Sequence, residues 1–261
     1  MRSLDIGATG MLAQQMNVDV ISNNIANMTT TGYKRQRVDF KDLIYQNIDR
    51  PGAQSSDVGT ILPSGLQLGL GVQISSVYRI HEQGAMQITE NPLDLAINGD
   101  GFFQIQMPDG QTAYSRSGVF QLNDSGELVT TEGFLIEPSI VVPTDATAIE
   151  VNQSGEVFIS QDGVVNMTNV GQLQLATFVN PAGLEAIGDS LFIETEASGS
   201  ATTGNPGQQN FGAIRQGAVE NSNVNIVEEI TDLISAQRAY EMNSTVIRTS
   251  DEMLQEIGQL R

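Results

Sequence analysis

Apolar residues return at every seventh position at both ends of the chain and at every second position through its middle. In the run Asn223–Leu260, Ile226, Leu233, Tyr240, Ile247 and Leu254 stand seven apart. Ile230, Ile234, Val246, Met253 and Ile257 widen that line into a stripe on one helix face. Asn225 with Glu228 three residues on has the form of a capping box, and Glu228 and Glu229 suit the positive end of a helix dipole. No Pro or Gly interrupts the run before Gly258, so the spacing predicts a helix about 55 Å long. Leu4, Met11, Val18 and Ile25 repeat the same interval at the other end, with Ile21 and Met28 beside them. That first helix is expected from Ser3, as N-cap, to about Met28, with a break near Thr29–Gly32. Two heptad-bearing helices at opposite termini are expected to pair as a coiled coil. Gln15, Ser22, Gln237, Ser244 and Asp251 lie near this seam, so it suits a many-stranded assembly better than an isolated pair. Helices docked on a globular core are the plainer alternative.

From Val72 to about Glu196 the period becomes two. Short strands are expected at Phe103–Met107, Val119–Leu122, Phe134–Ile136, Ile140–Val142, Val157–Ile159, Leu173–Val179 and Leu191–Ile193. Turn signals separate them: Pro108-Asp109-Gly110, Asn123-Asp124-Ser125-Gly126, Glu132-Gly133, Ser154-Gly155 and Asp162-Gly163. Such spacing argues for an all-β domain. The fold class is therefore α+β, with N- and C-terminal helices pairing as a coiled-coil-like inner domain around a central all-β domain. The expected partition is 1–34 with 216–261 for the helical domain, 35–75 for an extended linking segment and 76–215 for the β domain. Within the linking segment, Asp39–Ile48 is expected as a short helix, and Arg50–Ser56 and Leu62–Gly71 as turn-rich, extended chain. Thr195–Gly212 is expected as a polar loop.

Composition removes several functions. The net charge of −19, from 31 acidic and 12 basic residues, repels phosphate backbones and anionic membranes, so neither nucleic acid nor membrane insertion is expected. With no cysteine there is no disulfide, thiol nucleophile or thiolate metal site. No stretch approaches the roughly 20 apolar residues of a membrane helix, and no cleavable secretory signal is visible at the N-terminus. His81 is the only histidine and has no G-x-S-x-G context, so it is expected to be structural. Asn98-Gly99-Asp100-Gly101 lacks the spaced carboxylates and terminal Glu of an EF-hand and is expected as a tight turn. Gly69-Leu70-Gly71 lacks the spacing of a dinucleotide site. Without Trp and with few aromatics, sugar-stacking platforms are missing too. No catalytic, cofactor or metal residue is assigned, and no cofactor is expected. The basic concentration Lys34, Arg35, Arg37 and Lys41 is expected either as a solvated patch or as a partner for carboxylates of an adjacent subunit.

Three stretches carry a resemblance. Ser22-Asn23-Asn24-Ile25-Ala26-Asn27 followed by Thr31-Gly32-Tyr33-Lys34 resembles the N-terminal signature of the bacterial flagellar rod and hook family. Asn91–Phe103 is similar to its central motif, and Ser222-Asn223-Val224-Asn225, Glu228-Glu229 and Gln237-Arg238-Ala239-Tyr240-Glu241 to its C-terminal one. The order is right over nearly the whole chain; the one small departure is Thr31, where many relatives carry a proline. The resemblance implies a non-enzymatic subunit of the flagellar basal body that polymerises helically into a torque-transmitting shaft. Its terminal helices would order on assembly into an inner tube, with Leu4, Met11, Val18, Ile21, Ile25, Ile226, Ile230, Leu233, Tyr240, Ile247 and Leu254 as the seam. The β domain would form the outer wall. The stretch 46–71 favours the distal rod, with a hook or proximal rod subunit as the alternative within the family. A self-contained β-domain enzyme or binding module is the alternative outside it. Implied partners are copies of itself, proximal rod proteins, the hook protein, basal-body ring proteins and the flagellar type III export apparatus. The implied location runs from the periplasm to the outer membrane, reached without a cleavable signal.

Overall fold

The computed structural model describes residues 2–49, 64–161, 166–208 and 210–259. The chain forms two compact units, one of Met1–Ile25, Gln36–Tyr78 and Ile226–Arg261, the other of Ala26–Arg35 and Arg79–Asn225. The expected turns at Arg50–Ser56, Leu62-Pro63 and Asp162-Gly163 lie outside the described residues.

The first unit is built on helices α1 (Arg2–Ala26) and α2 (Ile226–Gln259), which pack against each other. At 34 residues α2 spans about 51 Å. It starts directly after Asn225, where the capping pattern places its N-terminus. Ser3 lies inside α1 rather than capping it. The expected short helix at Asp39–Ile48 is absent: Gln36–Asp42 and Tyr45–Asp49 are strands. The first pairs with Val72–Arg79 and the second, antiparallel, with Leu66–Gly69, placing Tyr45 opposite Gly69. Val38, Phe40 and Tyr45 fit a pleated surface once those partners are present, and strand pairing overrides the local helical pattern.

Among its described residues the second unit is built of β-strands, with a single turn of 3₁₀ helix at Pro181–Gly183. Its central strand, Phe102–Gln106, has Thr112–Ser115 along one edge, while Leu135–Glu137 and Leu175–Thr177 share the other. Alternation along this strand sends neighbouring rings into different cores. Phe103 packs with Leu95, Ile97, Phe120, Ile136 and Leu175; Phe102 packs with Tyr114, Phe178 and Phe192. Ala146–Val151, Glu156–Gln161 and Thr168–Gln172 form a separate three-stranded sheet. Two corners repeat one sequence device. In Asn123–Glu127 and Asn152–Glu156 the asparagine Oδ1 accepts the amides two and four residues on, and the intervening Gly126 and Gly155 take left-handed backbone. Of Ile140–Val142, expected as a strand, only Val141 makes an isolated bridge, to Glu127. Conversely Thr202–Gly204, inside the expected polar loop, is a strand paired with Leu175–Thr177.

Candidate functional site

The first unit presents a helix pair whose large apolar residues are mostly turned away from the pair. Along α2 the side chains with least exposure are Glu229, Ala236 and Ser250, and half-buried Asn243 completes a line seven residues apart. On α1 the buried residues are Gly7, Ala13, Val20, Ile21 and Asn24. A Cβ on Gly7 would lie 2.9 Å from Cγ1 of Ile247, and one on Gly10 would lie 2.8 Å from Nδ2 of Asn243. The two glycines therefore bring the helices together where any larger residue would hold them apart. Each costs about 1 kcal/mol of helix propensity, so close approach accounts for their presence mid-helix.

Of the residues expected to form an assembly seam, Ile21 is buried, and Leu4, Met11, Val18, Ile25, Leu233 and Ile247 are half-buried. Ile226, Ile230, Tyr240 and Leu254 are exposed. Val227, Ile234, Met242, Val246 and Met253 are exposed as well, making nine large apolar side chains among the described residues of α2 more than a third accessible. Leu12 of α1 is 65% exposed and borders a groove of about 440 Å³ whose walls are Thr9, Ala13, Leu43, Val72, Gln73 and Ile74. Runs of exposed apolar side chains on this scale mark interaction surfaces.

The motif residues have different duties. Asn24, almost wholly buried, donates through Nδ2 to the carbonyl of Gln36 at 2.9 Å and to Oε2 of Glu229 at 3.2 Å, and its Oδ1 accepts the Gln36 amide at 2.8 Å. Asn23 is exposed. Asn27 sits in the turn after α1 and accepts a hydrogen bond from the Thr30 hydroxyl. Gly32 has φ of 69°, and its amide donates to the carbonyl of Glu220 at 2.8 Å. A Cβ there would meet the Ser117 amide nitrogen at 2.6 Å, so both backbone and space require glycine. Tyr33 lies half-buried beside it. Asn223 accepts the Arg35 amide and donates to the carbonyls of Ile80 and Glu82. Asn225, Gln237 and Arg238 are exposed.

Sequence reasoning missed the second unit's charged centre. Glu220, at the end of strand Ala218–Glu220, is 1% exposed. Its Oε1 accepts from Nζ of Lys34 at 2.5 Å and the Gly84 amide at 2.8 Å, and its Oε2 from Nε of Arg116 at 2.6 Å. Lys34 also donates to the Glu82 carbonyl, so it is neither a solvated cation nor free for an adjacent subunit. The remaining Arg116 donors reach the carbonyls of Gly99, Gly101 and Ile97. The Asn98–Gly101 turn thus gathers its oxygens around a guanidinium. Burial raises the Glu220 carboxyl, but Arg116, Lys34 and the Gly84 amide outweigh it and hold the group below the ordinary carboxylate range. With two cations to one carboxylate, burial lowers Lys34 despite Glu220. His81 stands edge-on to Phe102 and Phe192, and burial first, then the charges of Lys34, Arg79 and Arg116, lower its pKa from 6.5 to about 4. It is neutral at neutral pH. Lys34, Arg116 and Glu220 are held by one another and by backbone groups, and they hold a fold together. Only proximity in three dimensions reveals it, since Glu220 lies 186 residues from Lys34 and 104 from Arg116.

Comparison with known proteins accounts for the same three stretches. Residues 4–34 match the family model "Flagella basal body rod protein", residues 96–159 "Flagellar hook protein FlgE/F/G D1 domain" and residues 215–260 "Flagellar basal body rod FlgEFG protein C-terminal". The chain is 56% identical over 261 residues to the flagellar basal-body rod protein FlgG of Caulobacter vibrioides, covering 100% of both. It is 51% identical over 253 residues to that of Agrobacterium fabrum, covering 97% of both, and 41% identical over 272 residues to that of Bacillus subtilis, covering 100% of this chain and 99% of the relative.

Proposed function

The chain belongs to the flagellar basal-body rod family, and from that premise we propose that it is a structural subunit of the distal rod that polymerises through its helix pair. One observation carries the mechanism: nine large apolar side chains among the described residues of α2 are exposed, while the line it turns inward, Glu229, Ala236, Asn243 and Ser250, has no large apolar residue. Burying a side chain such as Ile234 or Val246 contributes about 1.5–3 kcal/mol, and a helix face of them suffices to drive association. Neighbouring copies would cover these faces, and Ile226, Ile230, Tyr240 and Leu254 would contribute with them. Order at the ends is then coupled to assembly, because association stabilises whatever only the assembled state contains. In this reading residues 1–34 and 216–261 form an inner tube, 35–75 a rod-specific segment and 76–215 the outer wall. The wall transmits torque by stiffness and performs no catalysis.

The subunit works in the basal body among other basal-body components. The proposal extends to copies of itself, proximal rod proteins below, the hook protein above and ring proteins around the shaft. It places the subunit between periplasm and outer membrane, delivered by the flagellum's own export apparatus. Among the described residues no helix is long and apolar enough to cross a membrane. Deleting the gene from its bacterium and imaging the basal bodies by electron microscopy tests the assignment. The expected result is a rod that stops short of the hook, with swimming lost and restored by the intact gene. Complete basal bodies in the deletion strain would refute it.

A further inference from the structure

Three contacts between α1 and α2 keep one register along the whole of α1. The Ser3 hydroxyl lies 3.2 Å from that of Ser250. Seven residues further along α1, Gly10 faces Asn243, seven residues back along α2. Fourteen further still, Asn24 reaches Glu229, again fourteen back. The helices are therefore antiparallel and unslipped over this span. The apolar residues cannot define that alignment, because Leu4, Met11, Val18 and Ile25 have the same seven-residue interval as Ile226, Leu233, Tyr240, Ile247 and Leu254. Sliding one helix by a heptad returns each apolar line to the same face of its helix, so that spacing does not tell one alignment from the next.

We infer that the polar and small residues on the inner line, Gly10 with Asn243 and Asn24 with Glu229, determine the register of the helix pair. A slip of seven would set buried Asn24 opposite Ala236 or beyond the start of α2, leaving its amide without the Glu229 carboxylate. Asn24 keeps the Gln36 carbonyl, but the pair loses a charge-assisted hydrogen bond between two buried side chains, a loss the seven-residue apolar spacing does not suffer. Asn243 on Gly10 adds a steric key, since a slip of seven would set Asn243 opposite Ser3 or Asn17, which carry side chains where Gly10 has none. These are positioning residues: they select one alignment of the pair and so fix which apolar faces remain outward. The inference concerns the pair within one chain and does not depend on the assembly reading.

The absence of cysteine makes the register directly readable. In the full chain, Ser3→Cys with Ser250→Cys reports the observed alignment, and Ser3→Cys with Ile257→Cys reports a slip of one heptad. Oxidation of the dilute, unassembled chain yields intrachain product, which migrates as a monomer on a non-reducing gel. The first pair is expected to cross-link at least tenfold faster than the second. Adding Asn24→Ala and Asn243→Ala should remove that preference. Alanine favours helix more than asparagine does, so the change would report lost register and not lost helix. Asn243→Ser, still small and polar, should retain the preference. An unchanged preference in the double alanine variant, or no preference in the parent, would overturn the inference. Loss of swimming with intact register would count only against the assembly reading.

Discussion

Replacing Glu220 with alanine is expected to destabilise the second unit by about 3–5 kcal/mol, because it leaves Lys34 and Arg116 buried without a counter-charge. That is a large share of the 5–15 kcal/mol typical of a whole domain, so the variant should be partly unfolded at moderate temperature. Urea unfolding followed by tyrosine fluorescence reads the effect, and an unaltered midpoint would show that the cluster is structurally idle. Glu220→Gln keeps the shape and one acceptor and should recover part of the loss. The same centre sets the response to acid. A carboxylate held below its ordinary range stabilises the fold above that range, and the contribution disappears as pH falls through its lower folded value. His81 acts in the same direction at higher pH. Its folded pKa of about 4 lies below the unfolded 6.5, so the unfolded chain takes the proton first and stability declines from pH 6.5 towards 4. His81→Leu should flatten that part of the curve and leave the carboxylate part in place.

Placing aspartate on the outward face of α2, at Ile234 or Val246, is expected to abolish rod formation while leaving the folded chain nearly as stable as before. Both side chains are exposed, at 46% and 44%, so a charge there remains hydrated in the free chain. Buried against a neighbour, the same carboxylate loses its water, a penalty of several kcal/mol per site that helical repetition multiplies along the shaft. Unchanged thermal unfolding of the free protein with loss of swimming is the expected pair of results. Normal swimming would mean that this face is not covered in the rod. Aspartate at Leu233 or Ile247, which are half-buried, should disturb the pair itself as well as the assembly.

The sequence pattern identified the two helices and the β-rich centre because each has a period that local spacing expresses. The end of the first helix was legible for the same kind of reason: Asn and Thr before a glycine weaken a helix, and the chain does turn there, with Gly32 in left-handed backbone. Which of the seven lines of α2 faces α1 was not legible. That choice depends on Gly7 and Gly10 admitting a close approach, and on Asn24 finding Glu229 more than two hundred residues away. The strands Gln36–Asp42 and Tyr45–Asp49 were hidden because their partners, Val72–Arg79 and Leu66–Gly69, lie beyond a stretch with no regular pattern. Lys34 gave the opposite difficulty. Its basic neighbours suggested a surface patch, and only the return of the chain at Glu220 takes it inside.

The central claim is that the outward apolar face of α2 is covered when the subunit is in the rod, and a single cysteine at Ile234 tests it most directly. Its labelling rate with a maleimide should be fast in the free, purified chain. In basal bodies isolated from bacteria carrying Ile234→Cys in place of the wild type, labelling should fall at least tenfold, and it should return when the basal bodies are dissociated. Equal labelling in the free and assembled states would contradict the account, because the face on which assembly depends would still be open to solvent.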